Sequence, residues 1–148
     1  MWQKQKYPQA ELLFQKAVDL NPSDAQSLNG LGWSQFNQGK VDQAEKTFER
    51  VLVIDPAHAA ALNGLGWICH GRDQWEKAIE HWEKAVHSTP NATAALNGLA
   101  TVYMTHGKYD KALKVYERWL KVEPDSQQVK AGLTKARAGL NHDKGNDH

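Results

Sequence analysis

At 148 residues, with 18 Lys and Arg against 17 Asp and Glu, the chain is long enough for one packed domain or a short array of repeating units, and its formal charge is only +1. That balance gives no overall pull on nucleic acid or an anionic membrane, and no apolar run approaches the roughly 20 residues needed to span a bilayer. A single cysteine, Cys69, excludes an internal disulfide and a multi-cysteine zinc site and suits a reducing compartment, with cytoplasm the default.

Met1 to Lys6 is positively charged, but no apolar stretch of about 7 residues follows it, so it does not read as an intact secretory signal. A removed signal or a trimmed start stays open. Tyr7, Ala10, Phe14, Ala17 and Leu20 then recur at helical spacing and stop at Pro22, so residues 1–24 read as half a unit, a second helix without most of its first.

From residue 25 the chain repeats itself every 34 residues, over 25–58, 59–92 and 93–126. The openings align as Leu28-Asn29-Gly30-Leu31-Gly32-Trp33, Leu62-Asn63-Gly64-Leu65-Gly66-Trp67 and Leu96-Asn97-Gly98-Leu99-Ala100-Thr101. In each unit the apolar residues give a first helix, a break near Gly39, Arg72-Asp73 or Gly107, and a second helical face. That second face carries Ala44 and Phe48, Ala78 and Trp82, or Ala112 and Tyr116. It ends at Asp55-Pro56, Thr89-Pro90 or Glu123-Pro124, where the proline ring disfavours helical geometry in the residue before it. Gly71 comes two residues early against Gly39 and Gly107, so the middle turn is expected to differ. Trp119 stands where Ala17 and Ala85 stand elsewhere, and Gly132 is the expected source of room for it. Residues 127–140 read as a terminal capping helix and 141–148 as a disordered polar tail.

The 34-residue length, the Leu-Gly pair, the Ala-then-aromatic pair and the closing proline together resemble the tetratricopeptide repeat family, over the 102 residues of the three full units. The resemblance implies an all-α fold, a right-handed superhelical solenoid of antiparallel helical hairpins, with first helices lining a concave surface and second helices facing outward. It implies a protein-binding role and no catalysis.

The residues themselves sharpen where a partner would sit. The segments 25–38, 59–71 and 93–106 contain no Lys, Arg, Asp or Glu, so the inner wall is expected to be uncharged. Asn29 and Trp33, Asn63 and Trp67, and Asn97 and Thr101 are each four apart and share a helix face, about 100° from the core row. An Asn ladder offers donors and acceptors to an extended peptide backbone, and the tryptophans offer apolar platforms. Gly30, Gly64 and Gly98 are expected to let the peptide come close. Packing between units is the competing reading of the same residues. Cochaperone members of the family hold acidic tails with cations on the first helices, and none stands there in this chain. The expected ligand is therefore an extended, largely uncharged segment of a partner protein.

Other chemistry is weakly supported. Cys69 and His70 are adjacent on a helix and point about 100° apart, which suits no nucleophile and base pair. His81 and His87 miss the one-turn spacing of a helical metal pair, and Gly30-Leu31-Gly32 lacks the strand and the Lys of a phosphate loop. No cofactor, metal or nucleic acid is expected. A second possibility is structural: the half unit exposes Leu13, Phe14 and Ala17, which could pack on another copy or on further repeats.

Overall fold

The computed structural model describes residues 2–146, with side chains over 6–143. Among these residues there are eight helices and no strand: α1 (Trp2–Leu20), α2 (Ala25–Asn37), α3 (Val41–Ile54), α4 (Ala59–Gly71), α5 (Trp75–Ser88), α6 (Thr93–Thr105), α7 (Tyr109–Val122) and α8 (Gln127–Asn146). Each helix packs on its neighbours in sequence. The first helices α2, α4 and α6 also touch one another in turn, whereas the second helices α3, α5 and α7 scarcely do. A stack whose first helices are closer together than its second helices must curve with the first helices inside. The all-α solenoid of hairpins expected from the sequence is the observed fold.

Local chemistry sets the boundaries. The prolines act as anticipated, since Asp55, Thr89 and Glu123 leave helical geometry, with φ of −137°, −134° and −128°. Asp24 caps α2 by accepting from the Gln26 and Ser27 amides, and His58 Nδ1 accepts from the Ala61 amide at 3.3 Å to cap α4. Within each hairpin the turn needs one residue in the left-handed region. Gly39 and Gly107 supply it at φ 82° and 70°, and the middle turn uses Asp73 at φ 62°. The three turns thus share this position, and the early Gly71 leaves it unchanged because a short polar residue tolerates it.

Between hairpins, aromatic rings act as wedges. Phe48 is fully buried between α2 and α4, where a Cβ on Gly32 would fall 2.7 Å, and one on Gly64 2.5 Å, from its ring. Trp82 fits the same way between Gly66 and Gly98, at 2.4 and 2.3 Å. Only glycine gives a ring that space on both sides. Gly132 corrects the sequence reading: its missing Cβ makes room for Tyr116, at 2.3 Å, and not for Trp119. Trp119 is buried instead by stacking near Tyr116, at 6.2 Å between centroids, with its Nε1 donating to Glu123 Oε1 at 3.1 Å.

The expected polar tail is also corrected. The cap helix does not stop at Leu140 but continues to Asn146; the last two residues lie outside the described residues. Its hold on α7 extends late, because Gly139 lies against the Tyr109 ring, 2.7 Å from where a Cβ would stand.

Candidate functional site on the inner wall

The three first helices form a wall without a Lys, Arg, Asp or Glu side chain. Trp33 and Trp67 sit on it half-buried, each edge-on to the aromatic wedge of its own hairpin: Trp33 to Phe48 at 5.4 Å and Trp67 to Trp82 at 5.0 Å between centroids. Each indole is thereby held in place with part of its surface open.

The Asn row is not a uniform ladder. Asn63 is only 9% exposed, and its Oδ1 accepts a hydrogen bond from Trp82 Nε1 at 2.9 Å, so this side chain anchors the wedge. The equivalent pair one unit earlier is Asn29 and Phe48, and a phenyl ring has no donor. Asn29 Oδ1 is consequently buried without a hydrogen-bond partner. Asn97 is half-buried, and its carbonyl accepts from the Thr101 hydroxyl at 2.8 Å, which leaves Thr101 bonded within its own helix. Gly30, Gly64 and Gly98 also depart from the expected role. Their open sides face Phe14, Phe48 and Trp82 of the preceding hairpin, so they admit those rings rather than a peptide.

The N-terminal end supplies what the glycines do not. Phe14 is the wedge of the half unit and is met on one side only, by Gly30, where a Cβ would lie 2.4 Å from the ring. On its open side is a pocket of about 380 Å³ lined by Lys6, Tyr7, Ala10 and Phe14 of α1 and by Gly30, Trp33, Ser34 and Asn37 of α2. Trp33 was expected at the site from its spacing, but nothing in the spacing joins it to Tyr7. That pairing arises because, among the described residues, no helix other than α2 lines the pocket beside α1.

A family model described as the tetratricopeptide repeat protein 21 C-terminal ARM domain matches residues 31–137, and one described as tetratricopeptide repeat matches residues 2–58. The chain belongs to the tetratricopeptide repeat family. No curated protein matches this repeat chain in sequence. Two crystal structures of MamA resemble it at TM-scores of 0.78 and 0.79 and 23% identity, covering 94% of this chain and 76% and 81% of theirs. The first TPR of Spaghetti (RPAP3), bound to the HSP90 peptide SRMEEVD, resembles it at a TM-score of 0.72 and 24% identity, over 79% of this chain and 95% of its own. At these identities the likeness is one of fold.

Tetratricopeptide hairpins are also tied together here by contacts at one repeated position, the C-cap of each first helix. Gln38 Nε2 donates to Glu11 Oε1 at 3.1 Å, beside Lys40 Nζ at 2.7 Å. Lys40 is the main reason the Glu11 carboxyl is held below its ordinary range. Arg72 reaches Asp42 at 2.6 Å and Glu45 at 2.7 Å, and His106 stacks on Trp75 at 4.4 Å. Three residue types do one job, so no repeat in the sequence marks it. The exposed ion pairs contribute about 0–1 kcal/mol each and serve mainly to fix orientation.

Cys69 is buried, and burial, with Glu45 adding to it, pushes its thiol above the usual range, so it offers no thiolate nucleophile near neutral pH. Among the described residues, no three His, Cys, Asp or Glu side chains converge as metal ligands, and no helix is long and apolar enough to cross a membrane.

Proposed function

We propose that the chain is a protein-interaction scaffold that holds an extended, largely uncharged segment of a partner along its inner wall, anchored in the pocket at the N-terminal end. The observation that carries this reading is the pocket itself: Tyr7, Phe14 and Trp33 converge around about 380 Å³, and α2, which supplies Trp33, also carries the one Asn of the row whose buried oxygen lacks a partner. Aromatic side chains held rigidly around a small apolar cavity are the usual anchors of binding energy. The complex of Spaghetti (RPAP3) with SRMEEVD is a precedent for a peptide on this fold. That peptide is acidic, and the wall here has no Lys or Arg to meet it. Binding residues therefore comprise Trp33, Trp67, Asn29 and the pocket lining, with Asn97 and Thr101 further along the wall. Asn63 and the three glycines act by shaping the stack.

Selection of a displayed random-peptide library against the full chain tests this. Selected peptides should be apolar and low in charge, and a representative should lose at least tenfold in affinity on Trp33→Ala. Peptides that bind Trp33→Ala as well as wild type would sink the reading. An Asn63→Ala variant is a poor probe, because it strips the partner from a buried indole.

One observation favours a second role for the same end. Leu13 is 67% exposed, while Thr47 and Val115 at the same repeat position are 5% and 3% exposed. Another copy or further repeats would cover it. Sedimentation tests self-association directly: a monomer unchanged over a hundredfold concentration range would exclude another copy as the cover.

A further inference from the structure

A second groove lies at the opposite end, between α7 and α8. Inside the stack, α7 packs over α6, burying Leu99 completely and bringing Lys111 to 5.9 Å from the centre of the Tyr103 ring. One repeat on, the positions of Leu99 and Tyr103 are held by Leu133 and Arg137 of α8, and there they line a groove of about 690 Å³. This is the place a second helix would take against α8. Leu120 and Pro124 contribute most of the apolar surface, since Leu133 is itself only 5% exposed. Lys114, Arg118 and Lys121 of α7 and Arg137 of α8 stand around it, with Glu117 the one carboxylate in the lining.

Two features point to an occupant. Lys114, Arg118 and Lys121 are spaced i, i+4 and i+7, which makes a single cationic stripe along α7. None of the four cations has an ion-pair partner among the described residues, unlike Lys40 and Arg72, which are paired to carboxylates on neighbouring helices. The lining residues on α7 run from Lys114 to Lys121, about 10 Å at 1.5 Å per residue, or close to two helical turns.

We propose that this groove binds an acidic amphipathic helix of a partner protein, which pairs with α8 as the second helix of a fourth hairpin. Its apolar stripe meets Leu120 and Pro124, and carboxylates along its flank meet the cationic stripe. Thr134 stands where Gly32 and Gly66 receive an aromatic ring, so the incoming helix presents aliphatic side chains at that register. A second copy is a poor occupant through its free helix: α1 carries Lys4, Lys6 and Lys16 against Glu11 and Asp19, and Glu11 is already held by Lys40. Nucleic acid would meet the cations, but no aromatic side chain lines the groove for a base to stack on.

The test uses the full chain and three fluorescent probes, each titrated by anisotropy. One is a helical peptide of about 14 residues with Leu on one face and Glu on the flanks. The second has Lys in place of each Glu, and the third is a duplex oligonucleotide. The acidic peptide should bind saturably, at least tenfold more tightly than its Lys counterpart. It should weaken tenfold or more on Arg118→Glu with Arg137→Glu, and bind Trp33→Ala unchanged. Circular dichroism establishes that the exposed charge reversals leave the helices intact, and the neutral pair Arg118→Gln with Arg137→Gln should give a smaller loss in the same direction. Equal binding of the two peptides, full affinity in the charge-reversed chain, preference for the oligonucleotide, or no saturation by the acidic peptide up to about 1 mM would each overturn the proposal.

Discussion

The two end helices of the described stack differ in what their outer faces carry. At the N-terminal end a second helix, α1, stands without its first, and its surface is apolar: Leu13 is 67% exposed and Phe14 is wedged from one side only. At the C-terminal end a first helix, α8, stands without a second, and its free face is polar, with Thr134 and Arg137 in positions that are glycine or alanine and an uncharged residue inside the stack. The difference teaches that a repeat end is not open merely because a helix is missing. It accepts another unit of the same kind where its residues keep the identities of an interior repeat, and selects a different kind of helix where those have been replaced by bulkier or charged ones.

The largest expected effect compares one repeat position inside the stack and at its end. Val115→Glu would place a carboxylate in a fully packed site and should cost at least about 3 kcal/mol in denaturant unfolding. Leu13→Glu, at the equivalent exposed position, should stay within about 0.5 kcal/mol. Similar losses at both positions would mean that the N-terminal face is covered. A smaller effect separates the two asparagines. Asn63→Ala leaves the buried Trp82 Nε1 without an acceptor and should cost about 1–3 kcal/mol, whereas Asn29→Ala removes an oxygen that has no partner and should be close to neutral. Chemical denaturation of the two variants side by side reads the difference.

The smallest is a pH effect at the same repeat position as Leu13 and Val115, held in the middle unit by His81. Burial, aided by Lys84, holds the His81 pKa below its ordinary 6.5, and Nδ1 is buried without a partner. The unfolded chain therefore takes up a proton at a higher pH than the folded chain. Stability from this residue is present above about pH 6.5 and is lost as pH falls from there toward the lower folded value. His81→Val, which copies Val115, should shrink the drop in Tm between about pH 7.5 and pH 5.5 by a few degrees. An unchanged drop would mean that His81 is hydrated in the folded state.

The helical hairpins, their pairing and their proline stops could be read from the sequence because each rests on a local rule repeated in register. Asp73 was less legible, since glycine marks a left-handed turn and an aspartate that adopts it looks like any loop residue. The full length of α8 was hidden because its last turns have no apolar stripe, and a helix already anchored by packing extends without one. The site was half legible. Periodicity put Asn29, Asn63 and Asn97 on one face, but what each does depends on whether the ring opposite is Phe48, Trp82 or Tyr116, and only Trp82 has a donor directed at its asparagine. The glycines were misread because a small residue next to a groove and one beneath a neighbouring ring have the same spacing.

Two-dimensional nitrogen–proton spectra of the full chain, recorded as a selected neutral peptide is added, test the inner-wall proposal most directly. The indole signals of Trp33 and Trp67 and the amides of Gly30, Ser34 and Asn37 should shift most, while the indole of Trp119, buried in α7 and bonded to Glu123, stays in place. Shifts confined to α3, α5 and α7, with Trp33 unmoved at saturation, would contradict it.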